Sequence, residues 1–110
     1  MSAKLCIDEC HRYASDWDCV CFTVEYRKGP EFQCPRGQLD FMEAIDHVAA
    51  NADKYGINKD QICIGGLSGG GWIAMGAVVQ YVKAKKPCPA KCQFLITPMV
   101  CDELANTPKD

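Results

Sequence analysis

A three-layer α/β architecture, with a mainly parallel sheet of about three strands flanked by helices, is the fold the sequence predicts. Three observations predict it. Stretches with a 3.6-residue apolar period alternate with short apolar runs in the order αβαβαβ. Those runs are nearly continuous rather than alternating, which suits parallel strands covered on both faces. The links between them are short, and short links imply right-handed crossovers that put helices on the faces of the sheet.

The series opens with a helix over residues 4–16, where Leu5, Cys6, Cys10, Tyr13 and Ala14 share a face. Asp16-Trp17-Asp18 closes it, and the run Cys19 to Tyr26 reads as the first strand. Gly29, Pro30, Pro35 and Gly37 punctuate a loop. The second helix spans residues 38–55, with Leu39, Met42, Ile45, Val48, Ala49, Ala52 and Tyr55 near the helical period. Gly56 is its natural stop. Residues 61–65 read as a short buried strand and residues 66–71 as a glycine-rich turn. A third helix follows over residues 70–84. Residues 92–96 form the last strand, stopped near Pro98. No repeat or linker interrupts the chain, so residues 1–110 read as one domain.

Composition narrows the function. A chain of 110 residues with 48 % apolar and 24 % charged side chains is neither disordered, collagen-like nor a coiled coil. The net charge is −2, and the only local basic excess is Lys83, Lys85, Lys86 and Lys91. A nucleic-acid binder carries a stronger basic face; these lysines read as the cationic end of a helix, complementing its dipole. Apolar runs such as Val20 to Val24 are far shorter than the roughly 20 residues that span a bilayer, so no transmembrane anchor is expected. The lack of a signal peptide and of an Asn-x-Ser/Thr sequon points to the cytoplasm.

Nine cysteines are unusual for this length. Their odd number argues against a disulfide scaffold. The spacings Cys6-x3-Cys10 and Cys88-x3-Cys92 are not the paired C-x2-C knuckles of zinc sites. Reduced thiols are therefore expected, with no metal and no cofactor. Cys19, Cys21, Cys63 and Cys92 lie in apolar stretches and read as small buried hydrophobes.

The chemistry concentrates at Gly66-Leu67-Ser68-Gly69-Gly70-Gly71, between a strand and a helix. Gly-x-Ser-x-Gly in that context is the pattern of a nucleophile elbow. A serine standing on a sharp turn needs neighbours without bulky Cβ groups, because strand and helix pass close behind it. The helix starting there aims its free N–H groups at the site, where the amide of Gly69 could hold an oxyanion. A purely structural tight turn is the bland alternative. A second alternative is dinucleotide binding: Gly65-x3-Gly69-x-Gly71 has a loose dehydrogenase spacing, and Tyr81-x3-Lys85 mimics a catalytic pair. That pair sits in the helix following the glycine turn, where it cannot face a nicotinamide at the helix start. No acidic residue follows at the ribose-binding distance either.

A second segment weighs the balance. Tyr26-Arg27-Lys28-Gly29-Pro30-Glu31 resembles the Y-R-x-x-P-E motif of the hormone-sensitive-lipase-like family of α/β-hydrolases, whose serine elbow reads G-D-S-A-G-G. Pro35, Asp40, the helix to Tyr55 and the turn 58–61 match the order of that family's features between the two motifs. Leu95-Ile96-Thr97-Pro98 before Asp102 resembles a later strand of the family. The resemblance runs from about residue 8 to residue 108. It implies a carboxylic ester hydrolase, with Ser68 as nucleophile, the Gly69 N–H as an oxyanion donor, and a small-molecule or lipid ester as substrate. Leu67 and Gly69 depart from the family's acidic residue and alanine. The family's histidine and acid follow its serine, yet His11 and His47 both precede Ser68, and Asp102 is not assigned as the acid. The H-G-G-G oxyanion loop is not in this sequence. The resemblance thus implies the central part of a partial α/β-hydrolase fold, inactive alone. A strand of the full fold would lie between the first two strands here, leaving a gap, exposed apolar edges and a tendency to self-associate. A non-catalytic interaction remnant is the alternative.

Overall fold

A computed structural model of the protein describes residues 3–99, the side chain of Leu5 excepted; Asp102 lies outside them. A 3₁₀ turn over Ala3–Cys6 leads into α1 (Ile7–Trp17), so the first predicted helix is two pieces. Asp18 ends α1 in the left-handed region at φ 48°, a conformation that a short polar side chain tolerates. Then come α2 (Arg36–Ala50), α3 (Ala52–Tyr55), β1 (Cys63–Leu67), α4 (Gly69–Lys83) and β2 (Cys92–Ile96).

The predicted helix 38–55 breaks at Asn51. Its side-chain amide donates to the His47 carbonyl at 2.8 Å, alongside its own backbone N–H at 3.0 Å. Such a local bond competes with helix continuation. Gly56 ends α3 at φ 67°, as a left-handed C-terminal glycine should.

β1 and β2 pair in parallel, with Cys63 opposite Cys92 and Leu67 opposite Ile96. The crossover between them is α4, which packs on β1 and against α2. Here lies the core: Met42, Ile45, Ile64, Ala77 and Tyr81 are buried together. Tyr81, 1 % exposed, anchors it. Its hydroxyl donates to Asp46 Oδ1 at 2.5 Å and lies 3.1 Å from the Met42 carbonyl oxygen. Burial and the Asp46 carboxylate push the phenol's pKa well above its ordinary value. On the other face of the sheet, Phe94 sits edge-on to both Tyr13 and Trp17 of α1, which stack on each other with centroids 4.7 Å apart. Helices therefore cover both faces, giving the expected three layers.

The sheet differs from expectation in its strand count. Among the described residues it has two strands, because Cys19 to Tyr26 forms no ladder. A strand exists only through a neighbour that takes its N–H and C=O groups, and this segment has none in register. It is held by side chains instead: Phe22 lies edge-on to Tyr55, and Thr23 Oγ1 donates to the Ala3 carbonyl at 3.4 Å. Val20 and Phe22 remain 52 % and 40 % exposed.

β1 also runs two residues further than predicted, through Gly66 and Leu67, because pairing with β2 continues to Ile96. Nor are the strand cysteines buried. Cys63 and Cys92, at the ends of the narrow sheet, are exposed, and in the unpaired segment Cys19 is exposed and Cys21 half-buried.

Candidate functional site

The carboxyl end of β1 runs into α4 with one residue between them, Ser68. Its backbone sits at φ 54°, ψ −116°, a region that costs a residue with a Cβ about 1–3 kcal/mol. Four hydrogen bonds hold it there. The Ser68 N–H donates to the Ile96 carbonyl at 3.0 Å, and the Ser68 carbonyl accepts from Gly71, Trp72 and Met99 at 3.0, 3.3 and 2.9 Å. Both backbone groups are thus consumed in fixing the bend against the end of β2.

Glycine 66 makes the bend possible. A Cβ there would overlap the backbone of Gly70, so strand and helix meet at a distance only a bare backbone permits. Gly69 and Gly70 differ: a Cβ on either would meet nothing within 4 Å. The sequence argument for small neighbours on both sides of the serine therefore holds for Gly66 alone.

Ser68 is exposed and occupies the N-cap position of α4, but its hydroxyl makes no capping bond. A serine N-cap ordinarily accepts a hydrogen bond from a helix N–H on its hydroxyl oxygen; here Oγ is left uncommitted. Among the described residues no side chain hydrogen-bonds it, and the amides of Gly69 and Gly70 have no protein acceptor. Those amides belong to the first turn of a helix, which leaves donors free and carries partial positive charge.

Beside Gly69 opens a groove of about 380 Å³. Phe32, Trp72, Ile73 and Met99 make its apolar walls, and residues 26–29 form one rim. That rim is clasped to α2. Arg27 sets its Nε 3.0 Å from Asp40 Oδ2 and its Nη2 2.6 Å from Oδ1, while its backbone N–H donates to Oδ2 at 2.9 Å. The fork-on-carboxylate geometry is bidentate, and it holds the Asp40 pKa below its ordinary value. Sequence reasoning registered Arg27 and Asp40 only as matching letters. The signal that could have linked them is an isolated arginine followed by an acid in the first turns of the next helix.

Neither histidine is joined to Ser68. His47 Nε2 lies 2.9 Å from the Tyr55 hydroxyl, and Asn51 Nδ2 lies 3.4 Å from Nδ1. The imidazole thus braces the α2–α3 corner. His11 is exposed on α1. Tyr81, half of the dehydrogenase-like pair, is spent in the core against Asp46. No group of three or more metal-ligating side chains occurs among the described residues, and no helix there is long and apolar enough to cross a membrane.

A sharp, serine-bearing bend between a parallel strand and a helix defines a class of α/β enzyme scaffold. The chain belongs to the alpha/beta hydrolase fold family, in the hormone-sensitive-lipase-like branch, and the family model matches residues 2–110. It is 42 % identical over 91 residues to an AB hydrolase superfamily protein of Schizosaccharomyces pombe, covering 80 % of this chain and 26 % of that one. An arylesterase of Saccharolobus solfataricus is 30 % identical over 89 residues, covering 81 % of this chain and 28 % of its own length. Among solved structures, a bacterial heroin esterase superposes with a TM-score of 0.86 at 31 % identity, over 94 % of this chain and 32 % of that one. The chain spans about a quarter to a third of these relatives.

Proposed function

We propose that the chain is the nucleophile-bearing portion of a carboxylic ester hydrolase domain, with Ser68 as nucleophile and the Gly69 N–H as one oxyanion donor. The observation that carries this reading is the exposed, uncommitted hydroxyl of Ser68 on a backbone held at φ 54°. In the reaction Ser68 Oγ attacks the ester carbonyl carbon and gives up its proton to a base. The carbonyl oxygen becomes an oxyanion facing the first turn of α4. Collapse expels the alcohol and leaves an acyl-serine, which water hydrolyses to the acid. The apolar groove beside Gly69 suits the hydrocarbon part of a small ester, and the esterase names of the relatives fit the same class.

The isolated 110-residue chain is proposed to be inactive or nearly so, because no histidine follows Ser68 and His47 is engaged elsewhere. Turnover of a p-nitrophenyl ester by the chain and its Ser68→Ala variant tests this. No difference between them is expected; turnover lost on the substitution would overturn the inactivity. Labelling by a fluorophosphonate that disappears with Ser68→Ala supports the elbow assignment.

A second reading, a non-catalytic interaction module that self-associates, is favoured by one observation. Leu67 and Ile96, paired at the elbow end of the sheet, are 45 % and 43 % exposed. A dimer in sedimentation that dissociates on Leu67→Lys, together with no fluorophosphonate labelling, would favour it over the ester reading.

A further inference from the structure

Cys63 and Cys92 stand directly opposite one another at the amino ends of β1 and β2. Residues paired in register project to the same face, and their Cα atoms in neighbouring strands lie about 4.8 Å apart. That separation falls inside the roughly 4.4–6.8 Å range a disulfide requires. The two sulfurs are 2.9 Å apart, closer than two unbonded sulfurs ordinarily rest, and both residues are exposed. We propose that Cys63 and Cys92 are a reversible dithiol–disulfide pair, a redox modification site that staples the sheet at the end away from the serine bend.

The oxidant class that fits is a small exposed disulfide, such as oxidised glutathione. One protein thiolate attacks it, forming a mixed disulfide and releasing one glutathione thiol. The second protein thiolate then attacks the protein sulfur of that mixed disulfide, forming Cys63–Cys92 and releasing the second glutathione. The two protein thiols are oxidised, the glutathione disulfide is reduced, and the two thiol protons pass to the departing glutathione sulfurs. Partial burial of its sulfur and the adjoining Cys92 thiol push the Cys63 pKa up to about 12, so the exchange accelerates as pH rises. The bridge would close residues 63–92 into a ring containing Ser68 and all of α4, restricting the unfolded chain. Cys10 and Cys21 also neighbour one another, but Cys21 lies in the segment without a ladder, so nothing there fixes a register between them.

The test is oxidation of the chain by oxidised glutathione at mildly alkaline pH, followed by alkylation, trypsin digestion and mass spectrometry. The tryptic peptide carrying Cys92 also carries Cys101, so Cys101→Ser serves as the parent. The expected first product is the peptide of residues 60–83 joined to that of residues 92–109, lighter by two hydrogens. Formation should be favoured in buffer, lost in concentrated urea, and accompanied by a Tm rise of about 5 °C or more. Cys63→Ser should abolish both the linked peptide and the rise. A first bridge between other cysteines such as Cys10 and Cys21, or the same product distribution with and without urea, would overturn the proposal.

Discussion

Gly66 and Gly70 lie backbone against backbone, so close that a single methyl group on Gly66 would overlap the carbonyl carbon and oxygen of Gly70. This contact sets how tightly β1 turns into α4, and with it the outward aim of Ser68. Of the bend's four glycines, Gly69 and Gly70 have room for a side chain, whereas a Cβ on Gly66 would overlap Gly70 and one on Gly71 would press on Pro98.

Substitution should therefore divide the glycines sharply. Gly66→Ala is expected to destabilise the chain by about 3 kcal/mol, since backbone cannot move aside as a side-chain tip can. Gly69→Ala should stabilise by about 0.5–1 kcal/mol, because its Cβ meets open space within a helical turn. Urea unfolding of both variants checks the contrast. Equal effects of the two substitutions would mean the bend is looser than described.

The strained backbone of Ser68 gives a second expectation. Glycine adopts φ 54°, ψ −116° without the Cβ penalty, so Ser68→Gly should be more stable than the parent by about 1 kcal/mol. Ser68→Ala keeps the Cβ and should stay within about 0.5 kcal/mol of the parent. A protein that holds a serine here keeps strain that glycine would release. Thermal or denaturant midpoints of the three chains decide the matter.

The Arg27–Asp40 clasp should appear in acid. Its hydrogen bonds from Arg27 hold the Asp40 carboxyl's folded pKa below the unfolded value, which is about 3.9. Between those two values the unfolded chain binds more protons, so the clasp's contribution is fully present above pH 4–5 or so and fades as pH falls through the folded pKa. Asp40→Asn should lower Tm by no more than about 5 °C near neutrality, because solvent screens this exposed guanidinium. The gap from the parent should close as pH approaches about 3. A gap that widens in acid would refute the assignment.

How much was legible in the sequence follows from how local each signal is. β2 matches its predicted bounds because Lys91 and Thr97-Pro98 bracket a short apolar run. The serine bend was legible for the same reason, since glycine, serine and the helix after them act within a few residues. The segment 19–26 has the composition of a strand, but pairing depends on a neighbour that composition does not reveal. Gly66 and Leu67 read as turn residues, whereas both still belong to the strand, paired with Leu95 and Ile96. The clasp of Arg27 on Asp40 was missed because it joins side chains 13 positions apart across an irregular loop. The family pattern puts the base after the serine, and both histidines of the chain precede Ser68.

α1 has no buried residue, and the rings of Tyr13 and Trp17 stacked around Phe94 are its tie to the sheet. So small a hydrophobic attachment sets a low free energy for local opening, far beneath that of the Tyr81-centred interior. The amino-terminal helix should therefore be the first part to open on heating, baring one side of β2 while the Tyr81-centred interior stays folded.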